Sequence, residues 1–195
     1  MPSLGLIKPE IRILGVDDTP FVPHTKGKLG LIGVIFKGGY WIEGLMKTEI
    51  TIDGLDATDN LSLMIKKSSH FKQLQLVMLN GIMFGGFNVV NLNRLHLTTK
   101  LPILSVIRKK PNLPAIKKAM KNLPNFNKRW KTVIEAGEIF ESPTKNNKSK
   151  IFFQTSGLDK EDAHRIIRLT STRSNIPEAL RVAHIVASIF EQPLK

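Results

Sequence analysis

Apolar and polar positions along the chain switch between a strand rhythm and a helix rhythm. Glu10 to Phe21, EIRILGVDDTPF, sets the β-branched Ile11, Ile13 and Val16 around Gly15, a buried-strand pattern. The run ends in Asp17, Asp18, Thr19 and Pro20, which also suit a plain turn. Leu29 to Gly39 alternates as a second strand, and Lys37-Gly38-Gly39 reads as a hairpin turn. Tyr40 to Ile52 is a third strand with Ile42, Met46 and Ile50 on one face. Short connections make these three strands antiparallel neighbours.

Past the Asp53-Gly54 turn the rhythm becomes helical, with Leu61, Met64 and Ile65 on one face and Asp56 or Thr58 as the cap. Leu74 to Leu79 and Leu101 to Ile107 are continuous apolar runs, hence buried strands. They end at Asn80-Gly81 and at Arg108 to Pro111. Between them lie a glycine-rich apolar stretch, GIMFGGFNVV, and a helical NLNRLHLTT. Ala115–Lys121 and about Lys128–Ala136 read as helices, with Pro114 and Pro124 as breaks. Ser142 to Lys150 reads as a polar surface loop suited to disorder, and IFFQTS after it as a strand.

Two helices close the chain. In one, Ala163, Ile166, Ile167 and Thr170 share a face after the cap-like Asp159. The other starts at Pro177-Glu178. It carries one stripe of Val182, Ile185, Val186 and Ile189 and a second of Ala179, Leu180, Ala183 and Ala187. The order implies a single α/β domain over residues 1–195. Three antiparallel strands come first, then parallel strands, in one mixed sheet with helices on both faces.

Composition narrows the function. No run of 18 apolar residues exists, and the N-terminal MPSLGLIKPEIR lacks the pattern of a secretory signal, so a cytoplasmic protein without a membrane partner is expected. Without cysteine there are no disulfides or thiolate metal sites. The five histidines form no HxxxH or HExxH pair, which argues against zinc. The formal net charge is +13, and it is unevenly placed. From Asn60 to Ile134 there are 14 Lys and Arg and no Asp or Glu. One segment therefore supplies the whole excess, a pattern that attracts polyanions and nucleic acid above all.

Candidate chemistry gathers where strands end. Asp17 and Asp18 follow the first strand, Asp53 and Asp56 the third, Asn80 the fourth, and Lys109 and Lys110 the fifth. Parallel strands put their ends on one edge, where open α/β sheets keep their sites. Carboxylates gathered there suit Mg²⁺, a hard cation that prefers oxygen and assists phosphodiester hydrolysis. Gly85 and Gly86 would let backbone approach a flipped base, with close packing of the loop as the equal alternative.

ILGVDDTPF, KTEITIDGLDAT, MLNGIMFGGFNVV, LPILSVIRKKP and STRSNIPEALRVAH together resemble the archaeal endonuclease dU family. That family is in turn similar to endonuclease V, a deaminated-base endonuclease of ribonuclease H-like fold. The resemblance implies a Mg²⁺- or Mn²⁺-dependent endodeoxyribonuclease that nicks DNA near deoxyuridine. Asp17, Asp56 and Asn80 would be catalytic, with Asp17, Asp18, Asp53 and Asp56 around the metal. Lys109, Lys110, Gly85 and Gly86 would contact nucleic acid.

Two departures stand out. Asn80 falls where endonuclease V has a metal-binding aspartate, and Ser156-Gly157-Leu158 lacks the expected histidine after the last core strand. They motivate the alternative of a weakly active or non-catalytic nucleic-acid-binding protein on the same fold. RNA as a target and the oligomeric state stay open. Arg181 and His184 fall on a mostly apolar helix and read as structural. Trp41 and Trp130 read as core.

Overall fold

The computed structural model describes residues 7–23, 25–144 and 149–190. Seven strands form one sheet in the order β3-β2-β1-β4-β7-β9-β8. They are β1 (Arg12–Asp18), β2 (Lys28–Lys37), β3 (Trp41–Thr51), β4 (Leu76–Asn80), β7 (Ile103–Ile107), β8 (Phe140–Pro143) and β9 (Lys150–Ser156). A two-stranded ribbon, β5 (Met83–Phe84) and β6 (Asn88–Val89), follows β4. β1, β4 and β7 are parallel, β2 and β3 extend the sheet as an antiparallel meander, and β9 returns antiparallel to β7.

The carboxyl ends of β1, β4 and β7 thus share one edge. Continuous burial along β1, β4 and β7 follows from helices on both faces. One face, with Leu14, Val16, Val77, Leu79 and Ile103, packs on α1 (Ala57–Lys67), α2 (Leu92–Thr99), α3 (Leu113–Met120) and α4 (Phe126–Glu135). The opposite face, with Ile13, Leu76, Met78 and Leu104, packs on α5 (Lys160–Thr170) and α6 (Glu178–Ser188). No helix among the described residues is long and apolar enough to cross a membrane.

Three local expectations change. Ser142 and Pro143 belong to β8, and the backbone N–H of Thr144 donates to Ser149 O, so the ends of the expected loop are a hairpin; residues 145–148 lie outside the described residues. Pro114 opens α3 instead of breaking it, because a first-turn proline loses no helical hydrogen bond. On α6 the alanine stripe is the buried one, while Ile185 and Ile189 are exposed. The cause is close approach. A Cβ on Gly15 would stand 2.4 Å from the Ala179 backbone. Only small residues let the helix lie this near β1.

Elsewhere, Trp41 is exposed on the edge strand, whereas Trp130 is half-buried against the core beneath the Lys117 ammonium. Neither Asp56 nor Thr58 caps α1 with its side chain; the buried Asn88 does, its Oδ1 accepting the Ala57 N–H at 3.0 Å.

Candidate active site

Asp17 is the last-but-one residue of β1, 3% exposed, and the pleat turns it toward α6. Its Oδ1 accepts the Asp18 backbone N–H at 3.0 Å. Its Oδ2 meets two partners. The Asn80 amide, at the end of the neighbouring parallel strand, donates to it at 3.1 Å. The His184 Nδ1, from α6, lies at 2.8 Å. An ionised carboxylate only accepts, so Nδ1 carries a proton, and in the neutral ring Nε2 carries the lone pair. The His184 side chain is 62% exposed. Asn80 is exposed as well.

Helix geometry explains how residue 184 meets residue 17. Ala179 rests on Gly15. Two strand residues advance roughly 6.6 Å and five helical residues roughly 7.5 Å. A helix lying along β1 with its contact fixed at Gly15 therefore brings His184 level with Asp17. Sequence reading gave His184 a hydrogen-bonded structural role, and Asp17 is its partner; the pointer to that partner was the alanine stripe facing Gly15. Arg181, one turn earlier, is structural: its guanidinium donates twice to the buried Glu178 carboxylate, at 2.6 and 3.0 Å.

The other expected carboxylates are held apart from this cluster. Asp18 faces the opposite side of the sheet, where its Oδ2 accepts the Gly85 N–H at 2.7 Å. Burial pushes its carboxyl up to about 6; the Gly85 N–H opposes this and the Asp17 charge adds to it. Asp53 sits at φ +49° and accepts the Phe87 N–H at 2.8 Å. Asp56 accepts from the Thr51 N–H and hydroxyl and from the Asn88 amide. Burial raises its pKa, but these hydrogen bonds prevail and hold it below the usual carboxylate value. Both are turn-building acceptors. Among the described residues no three His, Asp or Glu side chains gather around one point. The four carboxylates expected to share an ion do not converge.

The glycines of the loop are also structural. A side chain on Gly85 would strike Leu29, and one on Gly86 the Asp53 carboxylate. Their positive φ angles, +52° and +87°, fold the ribbon loop down on the sheet edge. That loop is clamped by Arg129, a residue that sequence reading passed over. It is 2% exposed and donates to the carbonyls of Gly54, Phe87, Asp53 and Pro124 at 2.5–3.0 Å. One buried cation thus ties α4 to both turns. Lys109 and Lys110 are exposed just past β7, and Lys117, Lys118, Lys121, Lys128 and Lys131 are exposed on and around α3 and α4.

The donor set that could hold a cation carries few charges. Asp17 offers one carboxylate, and Asn80 offers an amide oxygen once its side chain turns over. Mg²⁺ keeps several waters, so two protein oxygens on one edge fit it. A single negative charge makes the expected hold weak.

Parallel β1, β4 and β7 flanked by an antiparallel meander, with an acid at the end of β1, define a protein of the ribonuclease H-like fold of the endonuclease V type. Endonuclease V of Ciona intestinalis, solved with a 24mer DNA containing an inosine followed by a ribo-adenosine, superposes with a TM-score of 0.58 at 13% identity, over 91% of this chain and 84% of that one. The chain belongs to the endonuclease dU family, whose model matches residues 9–190. A UPF0215 protein of Methanosarcina acetivorans is 44% identical over 93% of this chain and 91% of its own. A protein of unknown function from Archaeoglobus fulgidus, with a solved structure, has a TM-score of 0.82 at 39% identity, over 92% of this chain and 97% of that one.

Proposed function

We propose that this protein is a Mg²⁺- or Mn²⁺-dependent endonuclease that nicks DNA near a deaminated base, deoxyuridine in the first place. The observation that carries the reading is the Asp17–Asn80–His184 cluster at the carboxyl edge of the parallel strands. The basic stretch supports a polyanionic substrate, and the family and the fold of a DNA-bound endonuclease V support nucleic acid.

Asp17, with the Asn80 side-chain oxygen, would hold the ion. Bound there, it would neutralise charge on the phosphate and make a nearby water more acidic. Asp17 keeps the His184 ring in the tautomer whose Nε2 can take a proton from water, the role of a base oriented by a third group. Lys109 and Lys110 would hold the backbone beside the scissile phosphate.

The test is nicking of a duplex with a single dU in the presence of Mg²⁺ or Mn²⁺. Asp17→Ala and His184→Ala should each slow nicking by about 100-fold or more. Wild-type rates in both would remove the site. A non-catalytic reading draws on Asn80, whose amide donates to Asp17 and brings no charge. Asn80→Asp separates the two: acceleration or emergence of cleavage supports a metal at this edge. Salt-sensitive binding without metal-stimulated nicking in either form supports a binding protein.

A further inference from the structure

A second feature opens beside Asn80 on the face away from His184. A cavity of about 250 Å³ lies between the sheet and the α3–α4 pair, walled by Met83, Ile107, Leu113, Ile116 and Val133. Besides Asn80, two polar side chains line this otherwise apolar box. Ser105 on β7 and Gln154 on β9 are cross-strand partners, so their side chains stand together on one face. They are 2% and 6% exposed. The Gln154 amide nitrogen donates to the Gly137 carbonyl at 3.0 Å, which fixes the amide and leaves Oε1 free.

Neither that oxygen nor the Ser105 hydroxyl has a hydrogen-bond partner among the described residues. No fully enclosed side-chain N or O of the described residues lacks a partner, so both atoms open onto the cavity. A donor and an acceptor that open onto an otherwise apolar cavity are positions where a bound molecule can be hydrogen-bonded. An acceptor and a donor side by side, deep in an apolar slot, match the N–H and C=O of a ring lactam.

From this arrangement the geometry points to a nucleobase pocket in which Gln154 accepts the ring N–H, and Ser105 donates to the adjacent carbonyl, of a base extruded from DNA. It rests on the nuclease reading for its substrate and adds the determinants of base choice. The volume is below the roughly 300–1,000 Å³ of drug-sized sites, which suits one planar ring system. Uracil presents N3–H beside C4=O. Cytosine held in the same register by its backbone would put the N3 lone pair against the Gln154 oxygen. Deamination therefore converts a repelled edge into a matched one, and extrusion is cheapest for a mispaired base. Exposed Lys109, Lys110 and Lys117 flank the cavity wall at Pro111, Leu113 and Ile116 and can hold the kinked strand.

The test is equilibrium binding, by fluorescence anisotropy, of the full chain in EDTA to labelled duplexes with one dU·dG or one dC·dG pair. The wild type should prefer dU by about 10-fold, the scale of one good two-point base contact. Ser105→Ala, Gln154→Leu and the cavity-filling Ile116→Trp should each reduce the preference below about 3-fold. Affinity for the dC duplex should be unchanged, since phosphate contacts carry it. Ser105→Ala removes a hydroxyl that no protein group uses, so thermal melting should show it fully folded. A wild type with no preference, or variants that keep it, overturns the pocket. Loss of preference in the variants without nicking by any form upholds the pocket and fails the nuclease. Normal dU nicking with a preference indifferent to all three variants does the reverse.

Discussion

Gly15→Ala tests whether helix contact makes the site. Gly15 has no positive φ, so alanine suits its backbone and the effect is purely steric. The new methyl would lie 2.4 Å from both the carbonyl carbon and the oxygen of Ala179, and 2.8 Å from its Cβ. Backbone cannot swing aside as a flexible side chain can. Ordinary contact begins near 3.4 Å. The helix must therefore lift by about 1 Å, and overpacking of this kind costs roughly 1–3 kcal/mol. The same lift stretches His184 to Asp17 from 2.8 Å to roughly 3.8 Å, beyond hydrogen-bond reach. Urea denaturation should show the stability loss. Nicking of dU duplex should fall by about the amount seen for His184→Ala, even where the variant is fully folded. A variant within about 0.5 kcal/mol of wild type, with wild-type activity, would refute the claim that this contact sets the site.

Three further outcomes follow from single side chains. Arg129→Met leaves four carbonyls without their shared donor and should destabilise by about 3 kcal/mol or more in chemical denaturation, with Arg129→Lys recovering part of it. Asp18→Asn keeps an acceptor for Gly85 and removes a buried ionisation. Since the folded pKa of about 6 lies above the ordinary 3.8, the protonated form favours folding below pH 4, and that benefit fades as pH rises through 6. In metal-free urea titrations the variant should match wild type near pH 4 and exceed it by up to about 3 kcal/mol above pH 7. Lys109→Ala and Lys110→Ala should each lower the log–log salt slope of DNA binding by about 1, whatever the sequence bound.

What the residues disclosed in advance divides along physical lines. Strands and helices with clean periodicity were legible: Arg12–Asp18 and Ile103–Ile107 fall inside the expected runs, Leu76–Asn80 passes the end of its run by one residue, and α5 buries Ala163, Ile166, Ile167 and Thr170 after its Asp159 cap, as its pattern implied. β8 was hidden because Phe140–Pro143 is a short edge strand ending in proline, with no alternation to read. Which stripe of α6 is buried was not legible because both are apolar, while the helix is placed by the space at Gly15. Spacing along a chain reports which face is apolar; it does not report how close two elements must come. His184 stayed hidden for the same reason, since its partner is 167 residues away. Asp53 and Asp56 had the right residue type, but the Phe87 N–H of the ribbon loop and the Thr51 N–H of the turn claim their oxygens.

The adjacent aspartates show how one motif serves two faces. A strand alternates its side chains, so Asp17 and Asp18 cannot both point at one ion. Asp17 goes to the α6 side and meets Asn80 and His184. Asp18 goes to the other side and anchors Gly85, in the loop whose first residues, Ile82 and Met83, wall the cavity holding Ser105 and Gln154. Asn80 stands where the two meet, touching Asp17 with its amide and lining the cavity as well. The two carboxylates are thus coupled through the pleat. In the proposed enzyme, Asn80 would therefore join the histidine cluster to the base cavity across one strand end.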